Sequence, residues 1–444
     1  MQEELSQLYL PGLAPRAARM RVDIATILKR FYFCERALVI AQAGWIAGTP
    51  RLDAKLALAH ILWQDALTAD SCRTRVFELR YPNRMLQPSE DQPITSLFEN
   101  ALHAPNYGGL LLSLVEVFKP AQAAAYQQYL DAADELADGP SIRFMRMAAL
   151  EKQEQIVRIG QLAEVALEEL DEDGRAKARA WVDELRNALS LVGGLSLDAP
   201  VSAPYSLSHK QPFQLAETPA RDSRYHSLRF YWPDTVDPDF SYGEGILLQL
   251  RSAVSHLNEA WAVETGGAIL QAFADKLEWE YVLDAARWTY DEGRHMQMGV
   301  ERLNRWGFVP EELPLGTYIY ESAKGQPPII RLGMLHHFET KNIGKKTNRA
   351  ASFSSYEDAV SQHDMEFDWA DETLHAHYGR RMIHKLHELY PAEVPEVDEI
   401  TARCDALVND VIRSATPDEI EEIRDVASAI IDKARVLATE GKRG

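Results

Sequence analysis

The chain has 444 residues, enough for two or three domains that each bury a core without disulfide staples. Its formal charge of −20 opposes a phosphate backbone, and no lysine- or arginine-rich stripe overrides it, so nucleic acid is not an expected partner. The three cysteines, Cys34, Cys72 and Cys404, form no CxxC pair, which argues for reduced thiols and against a zinc ribbon or a disulfide framework.

The opening MQEELSQLYLPG lacks a basic and then apolar leader pattern, and the apolar-rich run GGLLLSLVEVF is too short to span a bilayer. The expectation is a cytoplasmic protein with no membrane segment. From about Asp23 to Val192, apolar residues recur at three- and four-residue spacing among Ala, Leu, Glu and Arg, which predicts helices. They fall at roughly 23–48, 51–80, 94–136 (with breaks at Pro105 and Pro120), 140–169 and 172–192. Between 194 and 243 the prolines Pro200, Pro204, Pro212, Pro233 and Pro238, with many Ser, Tyr and Asp, predict an irregular connector. Helical spacing returns at about 244–274, 276–306, 326–343, 355–390, 394–413 and 416–440. The main strand signal is TYIYES at 317–322. The predicted fold class is all-α, as two tandem helical bundles: 1–193, then the connector 194–243, a second bundle 244–393 and C-terminal helices 394–444.

The second half carries the chemistry. In DEGRH, Glu292 and His295 stand at i and i+3, where carboxylate and imidazole share one helix face and can reach one ion. Taken singly, an ExxH pair is more often solvated than a ligand pair. Here the pattern repeats in ADETLH as Glu372 and His375. In both copies an aspartate (Asp291, Asp371) precedes the glutamate and a glycine (Gly299, Gly379) follows the histidine by four. Completing the coordination of a metal pair needs a carboxylate from each of two further helices. Glu264 lies on the apolar stripe Val254, Leu257, Trp261, Ala268, where an unpaired charge is costly; Glu339 lies in LGMLHHFETKN. His256 and Glu259 form an HxxE just ahead of Glu264 and compete with it for the inward face. Asp368, His336 and His337 are candidates for an extra ligand or proton relay, although a lone histidine is usually structural.

The order Glu, ExxH, Glu, ExxH over about 245–390 resembles the ferritin-like dimetal-carboxylate superfamily, and ADETLHAHYG resembles ferritin-like proteins related to tRNA-modifying di-iron hydroxylases. The resemblance implies Glu264, Glu292 and His295 on one side of the metal pair and Glu339, Glu372 and His375 on the other, with Glu292 and Glu372 bridging. It also implies that Asp371 holds His295 and Asp291 holds His375 from outside the ligand set. Two metal ions are implied, iron in the first instance, although Mn/Fe and Mn/Mn fit the same ligands; O2 is the implied co-substrate.

The first half reads as a degenerate copy without metal. Glu35, Asp70, Glu116, Glu151 and Glu154 keep acidic positions, no histidine follows, and Arg73, Arg143 or Arg146 are the expected counter-charges. The leading expectation is an O2-dependent non-haem di-iron oxidase or oxygenase acting on a small metabolite or peptide, with an electron-donor protein and a homodimer as candidate partners. The alternatives are a ferroxidase, iron-handling or peroxide-scavenging protein, and a non-catalytic helical binding module. The basic residues Lys341, Lys345, Lys346, Arg349, Arg380 and Arg381 could bind an anionic group of a substrate, or simply form a solvated cluster.

Overall fold

A computed structural model describes residues 16, 18–241 and 243–440, and the chain is predominantly helical with almost no strand, as an all-α protein should be. MQEELSQLYLPG and Tyr242 lie outside the described residues. No described helix is long and apolar enough to cross a membrane.

The chain divides into two compact units, but not at the expected boundary. Unit 1 is Met1–Ala37, Leu67–Ala101 and Gly108–Lys210; unit 2 is Leu38–Ala66, Leu102–Tyr107 and Gln211–Gly444. The helices α1 (Arg21–Trp45) and α2 (Leu52–Glu78) are therefore shared out between the units. Residues 211–243 of the expected connector and the helices after 394 belong to unit 2. Close packing within unit 2 gives one reason for the different boundary: a Cβ on Gly267 would stand 2.4 Å from the carbonyl oxygen of Ala43, so only glycine allows that approach.

In unit 1 the following helices are α3 (Gln92–Glu99), α4 (Tyr107–Ser113, whose first residue counts to unit 2), α5 (Lys119–Ala132), α6 (Gly139–Glu169) and α7 (Glu172–Leu191). The break expected at Pro120 is absent. Pro120 sits in the first turn of α5, where its missing N–H costs little, and a π-turn at Leu114–Phe118 carries the helix into it. Edge-on aromatics fill this core, with Phe31 and Tyr126 ring centroids 5.0 Å apart.

Unit 2 builds four packed helical positions from α8 (Ile246–Leu257) continued by α9 (Ala260–Phe273), α10 (Trp279–Arg305), α12 (Pro328–Ser355) and α13 (Ala359–Leu389). TYIYES is not a strand: Tyr318–Ser322 is a short helix, α11, whose tyrosines Tyr318 and Tyr320 are buried by tertiary packing. The two-residue strands β1 (His226–Ser227) and β2 (Pro314–Leu315) pair in parallel. The last helices, α14 (Val397–Arg413) and α15 (Pro417–Glu440), pack on α12 and α8 respectively.

The expected helix 244–274 is interrupted. At the joint, the backbone N–H groups of Glu259, Trp261 and Ala262 bond three residues back, at 3.0, 3.2 and 2.8 Å. The Asn258 side chain ties the joint down by accepting from Gly316 N at 2.7 Å and donating to Pro314 O at 3.0 Å.

Candidate metal centre

The joint between α8 and α9 decides which glutamate faces the interior of the four positions. Glu259 and Glu264 are five residues apart, roughly 140° around a helix, so both cannot point the same way. Glu264, the residue expected among the ligands, is buried in an ion-pair cluster: its Oε1 lies 2.7 Å from Lys55 Nζ and 2.5 Å from Arg221 Nη1. This is a correction, and its cause is the charge partners that the segments 38–66 and 211–243 bring to that face. Glu259 takes the inward position instead.

Four overlapping groups of histidine and carboxylate donors, each with atoms within 4.8 Å of one another, could hold a metal ion. They are Glu259, Glu292, His295; Glu292, Glu339, His375; His295, Asp368, Glu372; and His256, Glu259, Asp368. The expected Glu292, His295, Glu339, Glu372 and His375 are all present, brought together by α10, α12 and α13. His375 Nδ1 lies 3.1 Å from Glu292 and 3.5 Å from Glu339, and His295 Nδ1 lies 3.5 Å from Glu259 and 3.6 Å from Glu292 and Asp368. Donors about 2.0–2.2 Å from one ion stand roughly 3–4 Å from each other, so the spacings suit shared coordination.

The outer nitrogens are crossed. His295 Nε2 is 3.2 Å from Asp371 Oδ2, and His375 Nε2 is 3.2 Å from Asp291 Oδ2. Asp291 also accepts from Arg287 Nε at 2.6 Å, and Arg294 Nη1 lies 3.0 Å from Asp371. A carboxylate accepting at Nε2 fixes the proton there and turns the bare Nδ1 lone pair inward. The remaining oxygen of Glu339 is organised likewise, because Trp288 Nε1 donates to its Oε1 at 2.8 Å.

What is left over is informative. Glu259 Oε2, Glu292 Oε1, His295 Nδ1, Glu339 Oε2, Glu372 Oε2 and His375 Nδ1 are buried without a hydrogen-bond partner, one atom from each of six clustered residues. Buried polar atoms are seldom left so, and cations held among them would satisfy them.

Charge tells the same story. Glu259 is held well above the usual carboxylate range by burial, with Asp368 and Glu292 adding repulsion; Glu339 is held there by burial and the charges of Glu292 and Glu372. Glu372 is raised chiefly by burial. Burial also opposes ionisation of Glu292 and Asp368, but His295 and His375 hold Glu292 below the usual range, and Lys346 and His295 do so for Asp368. Both imidazoles are pushed up, against burial, chiefly by Asp368 at His295 and by Glu339 at His375. A cluster this acidic takes up positive charge, as protons or as metal.

Three residues outside the expected ligand set, Lys346, His256 and Glu259, also stand at the cluster. Lys346 donates to Asp368 and, at 2.6 Å, to Glu372. His256 receives a hydrogen bond from Arg302 at Nδ1 (2.6 Å) and places Nε2 3.0 Å from Asp368, so both its nitrogens are used and it orients Asp368. Its pKa is lowered to about 3 by burial and by Arg302. The signal for Glu259 was the HxxE spacing with His256; Lys346, expected on a substrate anion or in a solvated cluster, is buried against Asp368 and Glu372.

Asp368 is in the cluster, but His336 and His337 are not. His337 Nε2 lies 2.9 Å from Asp405 on α14, and His336 packs against Gly379, where a Cβ would come within 2.7 Å of it. The two equally spaced glycines of the ExxH copies are close-approach points: a Cβ on Gly299 would stand 2.2 Å from Leu257 N, at the very joint that carries Glu259.

A cavity of about 320 Å³ opens onto the cluster. Glu259, Glu292, Glu339 and Glu372 line its floor, Trp261, Phe338, Tyr231 and Tyr318 its walls, and Arg251, Lys345 and Arg349 also border it.

In unit 1 the described acidic positions form no candidate metal group. Glu35 is fully buried, and its partners include Lys152 Nζ at 2.9 Å and the Tyr126 hydroxyl. Glu116 is partly solvated beside Arg186 at 2.6 Å, and Glu154, Arg143 and Arg146 are exposed. Among the described residues all four candidate metal groups lie in unit 2. No family model matches the chain, and neither the curated proteins nor the solved structures yield a significant match.

Proposed function

We propose that unit 2 is a ferritin-like dimetal-carboxylate domain and that the protein is an O2-dependent oxidase or oxygenase of a small organic substrate. The observation that carries this is the set of six buried, unsatisfied donor atoms on Glu259, Glu292, His295, Glu339, Glu372 and His375. Glu259, Glu292 and His295 would hold one ion and Glu292, Glu339 and His375 the other, with Glu372 beside His295 and Asp368 within reach of the pair. Iron is the metal proposed. Such a pair supplies, when bound, the electrons that reduce O2 and the oxidising power directed at an organic substrate.

The chain does the rest. Asp371 and Asp291 hold both imidazoles in the ligating tautomer, and the Arg287 and Arg294 guanidiniums pair with those aspartates. Lys346 offsets the charge of Asp368 and one oxygen of Glu372, and it also lines the cavity. Trp261 and Phe338, packed edge-on at 5.8 Å, shield that floor from water. An oxygenase of this kind draws electrons from outside, which makes an electron-donor protein the partner proposed.

One observation favours a metal-free ionic core: Lys346 binds Asp368 and Glu372 as Lys152 binds Glu35. It satisfies only those two groups and leaves the six orphaned atoms as they are.

The test is elemental analysis after anaerobic loading with ferrous iron, followed by the optical spectrum on admission of O2. Two metals per wild-type chain and a new absorbance are expected. Glu292→Ala and Glu259→Ala should lose metal. Glu264→Ala should keep it, yet lose about 3–5 kcal/mol of stability because Lys55 and Arg221 are left buried and unpaired. Absence of stoichiometric metal from the wild type defeats the proposal, and sustained iron oxidation without any organic substrate turns it towards iron handling.

A further inference from the structure

Along one face of α12 the residues Phe338, Asn342, Lys345 and Arg349 follow at steps of four, three and four, and all four border the cavity. Glu339, one residue from Phe338, reaches its floor. The face thus runs from the carboxylate cluster, past an aromatic ring, to two cations. Lys345 is six residues beyond Glu339, about 9 Å along the helix axis, and its long side chain leans back towards the cavity.

These cations are placed against the trend of a chain of net charge −20. Two neighbouring basic residues are already engaged: Lys341 with Asp405 at 2.9 Å, and Arg251 with Asp234 at 3.0 Å. Lys345 has only the amide oxygen of Asn342, at 3.3 Å, and among the described residues no carboxylate lies within ion-pair distance of it. The volume, about 320 Å³, suits a metabolite and not a polymer.

We propose that the cavity takes an organic carboxylate, its anionic end held by Lys345 and Arg349 and its apolar segment lying against Phe338 and Trp261, so that the far end meets the carboxylate cluster. This rests on the dimetal reading only for what happens at that far end. The anion subsite and the apolar walls stand on their own geometry. The cavity selects the acid over uncharged analogues, because a neutral head group leaves Lys345 without a counter-charge.

The experiment is calorimetric titration of the full chain with 4-phenylbutyrate and with 4-phenylbutanamide, both on iron-loaded and on chelator-treated protein. The acid is expected to bind at least about tenfold more tightly than the amide in both preparations. In the double variant Lys345→Ala/Arg349→Ala the acid should fall to the amide's affinity, with metal content by elemental analysis unchanged. Both positions are exposed or half-buried, so the fold tolerates the change. Equal binding of acid and amide, binding of neither, or undiminished binding of the acid by the double variant overturns the proposal. In that last case the carboxylate lies on the cluster. Acid selectivity that persists in protein unable to bind iron supports the subsite while defeating the dimetal reading, so the two failures are distinguishable.

Discussion

A buried charge survives only beside a partner, and the identity of the partner separates the two glutamates at the start of the unit 2 helices. Glu264 has Lys55 and Arg221, which complete it; Glu259 has an oxygen with nothing to accept from. A second residue shows the cost of burial through its titration. His336 is pushed down to about 4, first by burial and then by the nearby Arg380 and His337 charges. Its native pKa lies below the unfolded value of about 6.5, so between the two the unfolded chain binds more protons. Stability contributed by the neutral ring is complete above that unfolded value and is lost as pH falls towards the native one. His336→Gln is expected to remove up to about 3 kcal/mol of acid destabilisation over that window. Denaturant midpoints measured at pH 7 and pH 4.5 check this: the gap between them should narrow in the variant.

At the scale of elements, the α8–α9 joint is the device that aims Glu259, and α10 must come close to hold it. Gly299 permits that approach, since a side chain there meets the backbone of Leu257 and Ala253. Gly299→Ala is expected to destabilise by about 1–3 kcal/mol through overpacking and to weaken metal retention by shifting Glu259 away from His295. Thermal unfolding and a chelator-competition assay read the two effects separately. If the variant unfolds as the wild type does, the joint is not under the constraint described. Asn258 acts on the same joint from the other side by tying it to Pro314 and Gly316.

For the whole molecule, the two units treat buried carboxylates in opposite ways. Unit 1 neutralises Glu35 with Lys152 and Tyr126, whereas unit 2 gathers carboxylates around two inward-facing imidazole nitrogens. Lys152→Met should therefore destabilise by about 3–5 kcal/mol, since the buried Glu35 carboxylate loses its lysine counter-charge, while metal per folded chain stays as in wild type. Equilibrium unfolding and elemental analysis decide it; loss of metal with Lys152→Met would show that unit 1 contributes to the ion site after all.

The helical character, most element positions and the paired DExxH copies were legible in the sequence, because apolar spacing and i, i+3 ligand pairs are local properties of one helix. So were the crossed aspartates, through the resemblance those motifs carry. Tertiary structure alone decided which glutamate completes the cluster: the choice between Glu259 and Glu264 depends on a break held by Asn258 and on cations supplied from residues far away in sequence, Lys55 and Arg221. It likewise turned TYIYES into a helix, placed Lys346 between Asp368 and Glu372, and divided the first helices between two units. Periodicity reports which face of an element is buried, and only the folded chain determines what that face is buried against.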